Sequence, residues 1–446
     1  MIFVMNRDIA KRYSLAEVAL LGLFVAGLIG AGAMVSLRGR ILLTEPVSLD
    51  GSGLSAPLPA DKDWRSIPGW QYEQNRSFLL LSGLMYHGRS RGDVIWRYHL
   101  APEPMELKRR LELSATGAGG MLTDCQELEG SIRMVWGRIT SGSSDTPAAI
   151  IGYSELDSGR LLELQVRMPD QPWYAQDLFE ALGKAVVYEK SPAIQQGAAM
   201  VEHLSSLAVE ELFGPYQGQS NFQVRDSAGM ARGYIHDDLR LEEGQEGQRF
   251  RLETKSLVNL PGFGQSEDVL TGANPYKAFQ WSSKSHGMGS VWGVQTKLTY
   301  NADGLLEAEE ADGETAGYRP GPGALSELLI DSAARQLLDG AGGPVWLNII
   351  GSSGKLLPAL AQRIDAEKAG ARAPQIKSAV QVKFIDGSGL VEEIYFDHAG
   401  NAIGGLLMRG GRAALLWERV EGDFMEQKHN ETSVDGPVAR AALRRR

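Results

Sequence analysis

Apolar positions recur along this chain with two periods, and the change from one to the other lays out its elements. Strict alternation marks 291–300, where Val294, Thr296, Leu298 and Tyr300 share one side, the pattern of a half-buried antiparallel strand. Residues 131–140 behave alike, with Ile132, Met134 and Trp136 on one face. Similar runs predict strands over 78–87, 93–100, 148–156, 160–168, 221–225, 231–241, 249–258, 278–283, 305–310 and 345–350. Asp157-Ser158-Gly159, between two of these runs, is a hairpin signal. The clearest stretch is the last. Runs at 379–386, 390–397, 402–409 and 412–420 are separated by DGSG, HAGN and GG, which predicts a four-strand meander.

Helical spacing appears between the strand runs. Leu178, Phe179, Leu182, Ala185 and Val186 follow Asp170 and Pro172, which suit a cap and a first turn. Val201, Leu204, Leu207 and Leu212 predict a helix over 198–213 that Gly214-Pro215 stops. Leu325, Leu328, Leu329, Ala333 and Leu337 predict another, ended by Gly340. Residues 356–367 read as helical.

One run stands apart. Residues 18–37 (VALLGLFVAGLIGAGAMVSL) carry no charge, and about 20 apolar residues suffice to cross a ~30 Å hydrocarbon core. Basic residues flank the run: Arg7, Lys11 and Arg12 before it, Arg38 and Arg40 after it. The expectation is a single N-terminal transmembrane helix, with the N-terminus cytoplasmic and the body extracytoplasmic, either periplasmic or at the cell surface. Ala31-Gly32-Ala33 leaves a cleaved signal peptide as the rival. Gly22, Ala26 and Gly30 form a ridge of small residues of the kind that lets membrane helices approach one another.

The expected fold class is therefore α+β: the membrane helix, then two mainly antiparallel β-rich domains with a few packed helices. The boundaries are an anchor at 1–40, a linker at 41–66, a first domain at 67–190, a second at 197–422 with a large antiparallel sheet, and a disordered tail at 423–446. High glycine, 53 residues against 19 prolines, fits frequent turns between short strands rather than a low-complexity tract.

Two resemblances follow from these residues. The order of a helix, long antiparallel strands, a helix and more strands over 197–422 is similar to the periplasmic lipoprotein-carrier (LolA-like) half-barrel. That family wraps a curved sheet around helices, and the resemblance implies acyl chains held in the concavity. At the N-terminus, Lys11-Arg12-Tyr13-Ser14-Leu15-Ala16-Glu17 ahead of an apolar helix resembles the start of type IV prepilins, although Arg12 stands where that family has glycine.

Charge narrows the partners. Of the net −10, residues 1–40 contribute +3 and 440–446 contribute +4, which leaves −17 for the body. A body this acidic repels nucleic-acid phosphates, so a nucleic-acid role is not expected.

No residue pattern points to catalysis, a cofactor or a metal, and none is assigned. The seven histidines, His87, His99, His203, His236, His286, His398 and His429, include no pair at metal-ligand spacing. His236-Asp237-Asp238 and Asp397-His398 set carboxylates beside imidazoles, but neighbours in a strand point to opposite faces, and the second pair reads as a turn. Ile349 to Leu356 ends like a phosphate-binding loop but lacks glycine at 349 and Ser/Thr at 356. Ser352 and Lys355 have the spacing of an acylating pair without its companion motifs, and Gly152-Tyr153-Ser154 lacks the closing glycine of a nucleophile elbow. Cys125, the single cysteine, reads as a small, partly buried hydrophobe. Trp96, Trp136, Trp292 and Trp417 read as core; Trp64, Trp70 and Trp173 fall near loops, where they could line a ligand groove.

The functional expectation is a membrane-anchored exported binding or envelope protein. Its partners would be the membrane through 18–37 and a protein or an apolar ligand, such as lipid or lipoprotein. A pilin-like assembly component and an exported enzyme with a dispersed site are the alternatives.

Overall fold

The computed structural model describes Phe24 and residues 41–421, apart from 68, 74–77, 88–89, 142–146, 245–246, 260–263, 288–292, 310–314, 340–342 and 366–374. Its elements form three sheets. The smallest joins Val47–Leu49 (β1), Leu54–Ala56 (β2) and Val187–Tyr188 (β11).

The second sheet has eight strands: Trp64–Ser66 (β3), Gln71–Glu73 (β4), Phe78–His87 (β5), Ser90–His99 (β6), Gly120–Leu128 (β7), Met134–Ser141 (β8), Pro147–Leu156 (β9) and Arg160–Arg167 (β10). Two helices cover it. Leu107–Gly117 (α1) buries Leu111 and Ala115 against one face. Pro172–Ala185 (α2) buries Leu178, Phe179 and Leu182 against the other, where Phe179 lies 5.3 Å from the Trp136 ring.

The third sheet has fifteen strands. They begin with Gly218–Asp226 (β12), Ala231–Gly244 (β13), Gly247–Val258 (β14), Gly264–Asn274 (β15), Ala278–Gly287 (β16), Gly293–Tyr300 (β17), Leu306–Glu309 (β18) and Thr315–Tyr318 (β19). They continue with Ala324–Ser326 (β20), Val345–Ile350 (β21), Leu356–Ile364 (β22), Ser378–Phe384 (β23), Leu390–Phe396 (β24), Ala402–Arg409 (β25) and Arg412–Val420 (β26). β12 pairs with β26, so the early and late halves form one continuous sheet. Three helices pack on it: Pro192–Ser206 (α3), Val209–Phe213 (α4) and Ile330–Asp339 (α5). α3 lies so close to β21 that a Cβ on Gly197 would fall 1.9 Å from the Trp346 carbonyl oxygen, so only glycine fits.

A buried asparagine ties the two larger sheets together. Asn348, 1% exposed, accepts hydrogen bonds from Trp346 Nε1 (3.1 Å) and Arg160 Nη2 (3.3 Å). Its own amide donates to the carbonyls of Pro320 (3.2 Å) and Pro322 (3.3 Å). Arg160, 2% exposed, lies over the Trp346 ring at 5.3 Å. One hydrophobic cluster runs through both sheets.

The structure corrects several expectations. The described chain is mostly β, with five α-helices against 26 strands, which overturns the expected α+β class with its N-terminal transmembrane helix. Residues 356–364, read as helical, form β22, because alternate side chains bury between β21 and β23 and that pairing overrides good helix formers. Residues 41–66, read as an extended linker, contain the β1–β2 hairpin with Leu49 and Leu54 fully buried. Gly264–Asn274 is a strand that its mixed polar sequence concealed.

Among the described residues no helix is long and apolar enough to cross a membrane, against the expected single-pass signal anchor. The run 18–37 that motivated it lies outside the described residues except for Phe24, as do the prepilin-like 11–17 and the tail 423–446. The extracytoplasmic location depended on that helix and is corrected with it: nothing in the fold assigns the body to a compartment.

Removing the Asn348 side chain strands two donors and two carbonyls in the interior. Asn348→Ala should therefore lower unfolding free energy by about 3 kcal/mol in urea titration. Arg160→Met, which removes an isolated buried charge and keeps the bulk, should change it by less than about 1 kcal/mol.

Candidate cleft on the inner face of the large sheet

Cross-strand register sorts the inner face of β12–β17 into rows. One row is apolar: Leu239, Leu252, Leu270, Trp281 and Leu298 stand directly opposite one another on five successive strands. The neighbouring row is polar: Ser220, Asp237, Thr254, Asp268, Ser283 and Thr296 on six. Side chains two apart on a strand share a face, so both rows look inward.

The polar row survives burial because its members hydrogen-bond. Thr254 Oγ1 donates to Asp237 Oδ1 at 2.8 Å. Trp281 Nε1 donates to Asp268 Oδ1 at 3.2 Å, with Asp268 fully buried. Thr296 Oγ1 donates to the Ser352 carbonyl at 2.7 Å, and the Ser352 N–H donates to the buried Glu327 at 3.3 Å.

At β15–β17 the apolar row is sealed, with Leu270, Trp281 and Leu298 at 0–2% exposure. At β13–β14 it opens into a cleft of about 340 Å³. Leu239, Leu252 and Phe222 form the sheet wall, while Leu328 and Leu329, with Asp331, Ser332 and Arg335 from α5, form the opposite wall. Because α5 rests on β22–β24 and its other side faces β12–β14, the sheet curls around the helix.

The rim is the turn between β24 and β25. Asp397 Oδ1 accepts from the N–H groups of Ala399 and Asn401, each at 2.8 Å, and Oδ2 accepts from the Asn401 amide at 3.1 Å. Burial alone would raise the Asp397 carboxyl, but these donors outweigh it and hold it below the usual carboxylate value. Gly400 in this turn has φ +77°, and Arg335 lies against it: a Cβ there would meet Arg335 Nε at 2.8 Å. Arg335 also stacks over the Tyr216 ring at 4.3 Å and donates from Nη2 to the Ala399 carbonyl at 3.3 Å. Arg419, directly opposite Phe222, lines the same end.

A second polar cluster lies on the eight-stranded sheet, away from the cleft. Glu163 pairs with Arg97 and with His99 Nε2 at 3.0 Å, and Tyr153, its cross-strand neighbour, hydrogen-bonds Ser114 at 2.8 Å. Burial raises the Glu163 carboxyl, yet the His99 hydrogen bond and the Arg97 charge prevail and lower it. Burial lifts the Tyr153 phenol to about 12. No residue of this cluster lines the cleft, and the arrangement reads as an ion-pair network under α1.

The motifs singled out in the sequence fall as follows. Asp237 enters the cleft wall, whereas His236 points to the other face and pairs with Asn221 at 2.7 Å. Ser352 and Lys355 sit in a tight turn closed by Gly351–Lys355 and Gly354–Gly351 backbone bonds. Ser154 is buried within β9, two residues from its end. Cys125 is exposed, not partly buried. Trp64 and Trp70 are core, Trp173 is 70% exposed, and none of the three lines the cleft; Trp292 lies outside the described residues. Among the described residues no cluster of His, Cys, Asp and Glu could hold a metal. Arg335 and Arg419 carried no signal in the sequence, since the turn and strand they meet are remote along the chain.

No protein-family model and no curated protein matches the chain. Among solved structures it is similar to a beta-barrel-like protein of a domain of unknown function from Brucella abortus, at 11% identity and a TM-score of 0.32, covering 46% of this chain and 95% of that one. It is also similar to the tail fiber of Staphylococcus aureus phage P68, at 8% identity and a TM-score of 0.13, covering 81% of this chain and 69% of that one. Both are too distant to inform function, and neither bears on the prepilin resemblance.

Two outcomes test this geometry. Because the folded-state value of Glu163 is depressed, its stabilisation is present above the ordinary value of 4.5 and disappears as pH falls through the folded value. Glu163→Gln should therefore lower the urea midpoint at pH 7 and flatten its decline between pH 5 and pH 3. Gly400→Ala should cost about 1 kcal/mol or more through backbone strain and displacement of Arg335.

Proposed function

We propose that this chain is a binding protein whose cleft takes the apolar part of a small amphiphilic molecule. The observation that carries this reading is the continuity of the apolar row: the stripe that forms sealed core at β15–β17 runs on into an open cleft at β13–β14. A volume of about 340 Å³ lies within the range of small-ligand sites, which combine apolar walls with a few convergent polar groups. The lipoprotein-carrier resemblance of 197–422 implies an acyl chain in a sheet concavity, and the cleft's walls suit that chemistry. Leu252, half-buried in the sheet wall, is the position where added bulk fills the cleft with least effect on the core.

Binding is measured by fluorescence of an uncharged apolar probe such as N-phenylnaphthylamine, displaced by single-chain lipids. The wild-type chain should bind the probe with saturation. Leu252→Trp should weaken binding at least tenfold, about 1.4 kcal/mol, with little change in thermal midpoint. Probe binding that is indifferent to this substitution would contradict the proposal.

A further inference from the structure

The cleft carries charge of both signs, and the two signs are not equivalent. Its carboxylates, Asp237 and Asp331, are both engaged within the protein, Asp237 by the Thr254 hydroxyl. Its cations differ. Among the described residues neither Arg335 nor Arg419 takes part in an ion pair, although sixteen such pairs link other residues of the fold. Arg419 feels the charge of the rim carboxylate Asp397 but does not close an ion pair with it, so in a chain of net charge −10 with an excess of carboxylates to choose from, two arginines lining one cleft outside any close ion pair call for an explanation. Arg335 is moreover held in place. Stacking on Tyr216, the contact with Gly400 and one bond to the Ala399 carbonyl fix the guanidinium while using only one of its five N–H donors. A fixed guanidinium with donors to spare matches the planar, two-oxygen geometry of a carboxylate or phosphate.

Resting on the reading of the cleft as an amphiphile site, we propose that its ligand is an anionic single-chain amphiphile, whose carboxylate or phosphate head is read by Arg335 and Arg419 while its chain lies along Leu239 and Leu252. The arginines occupy the end of the cleft bounded by β26 and the 397–401 turn, and the apolar row leads across β13 and β14 toward β15. Head and chain therefore have separate places.

The test uses the full chain and four ligands of equal chain length below their micellar concentrations: laurate, dodecyl phosphate, dodecyl maltoside and dodecyltrimethylammonium. Inorganic phosphate is a fifth arm, and each is scored by displacement of the neutral probe. Laurate or dodecyl phosphate should bind at least tenfold more tightly than the maltoside, and the preference should shrink with added salt. The better of the two heads identifies the source. Arg419→Gln and Arg335→Gln should each lower the ratio of anionic-ligand to maltoside affinity at least threefold, and an unaltered ratio in both would overturn the inference. Arg335→Lys, which keeps the charge but loses the planar fork and the stacking on Tyr216, should retain only part of the preference, and an unchanged thermal midpoint of this variant guards against a folding defect at this position.

Equal binding of anionic and neutral ligands would overturn the inference and leave the amphiphile reading intact. Tighter binding of the cationic ligand would also overturn it, and would assign the head to Asp237 and Asp331. Displacement by inorganic phosphate as effective as by dodecyl phosphate would remove the chain from recognition. Failure of all four amphiphiles to displace the probe would overturn the amphiphile reading itself, and the inference with it.

Discussion

The register of the fifteen-stranded sheet is the constraint on which the rest depends. Side chains on a strand alternate with a period of two, so a one-residue slip of β13, β14 or β15 would turn Asp237, Thr254 or Asp268 outward and bring its neighbours in. The observed register sets an apolar row and a hydrogen-bonded polar row side by side on the inner face. Neither row is recoverable from a single strand, because each strand contributes at most one residue to each.

From that register the cleft follows. The sheet continues through β26 to β21, carries α5 on β22–β24, and curls until β12–β14 face the other side of the same helix. The apolar row is covered where the walls meet and open where they part. The polar residues at the open end do different jobs. Asp397 and Gly400 shape the rim, Tyr216 steadies Arg335, and Arg335 and Arg419 bring positive charge outside any close ion pair to a molecule of net charge −10. The Asn348 junction holds this sheet against the eight-stranded one, so the cleft sits in a body joined by one hydrophobic cluster.

Much of the β architecture was legible in the sequence. The meander of β23–β26 was readable because alternation and turn chemistry agree, with DGSG, HAGN and GG marking its corners. Two segments misled for opposite reasons. Residues 356–364 are rich in helix formers but are held as β22 by partners on both sides. Residues 264–274 look polar because the inner face there includes Ser266 and Asp268, whose burial is tolerated only through cross-strand hydrogen bonds. The site was less legible than the fold. Asp237 drew attention only through its neighbour His236, which proves to lie on the opposite face. Arg335 and Arg419 meet partners such as Tyr216 and Phe222, over a hundred positions away in sequence, and no local spacing records that. The tryptophans near loops invited a groove that the fold does not build around them.

The central claim is that the open end of the apolar row is where an amphiphile's chain lies. The most direct measurement is photo-crosslinking with a fatty acid bearing a diazirine at mid-chain, followed by peptide mapping by mass spectrometry. The account predicts label on β13, β14 and α5, at and around Leu239, Leu252 and Leu328, and its loss when unlabelled fatty acid competes. Label scattered over exposed apolar residues such as Trp173 and Met121, or label that competitor does not reduce, would contradict it.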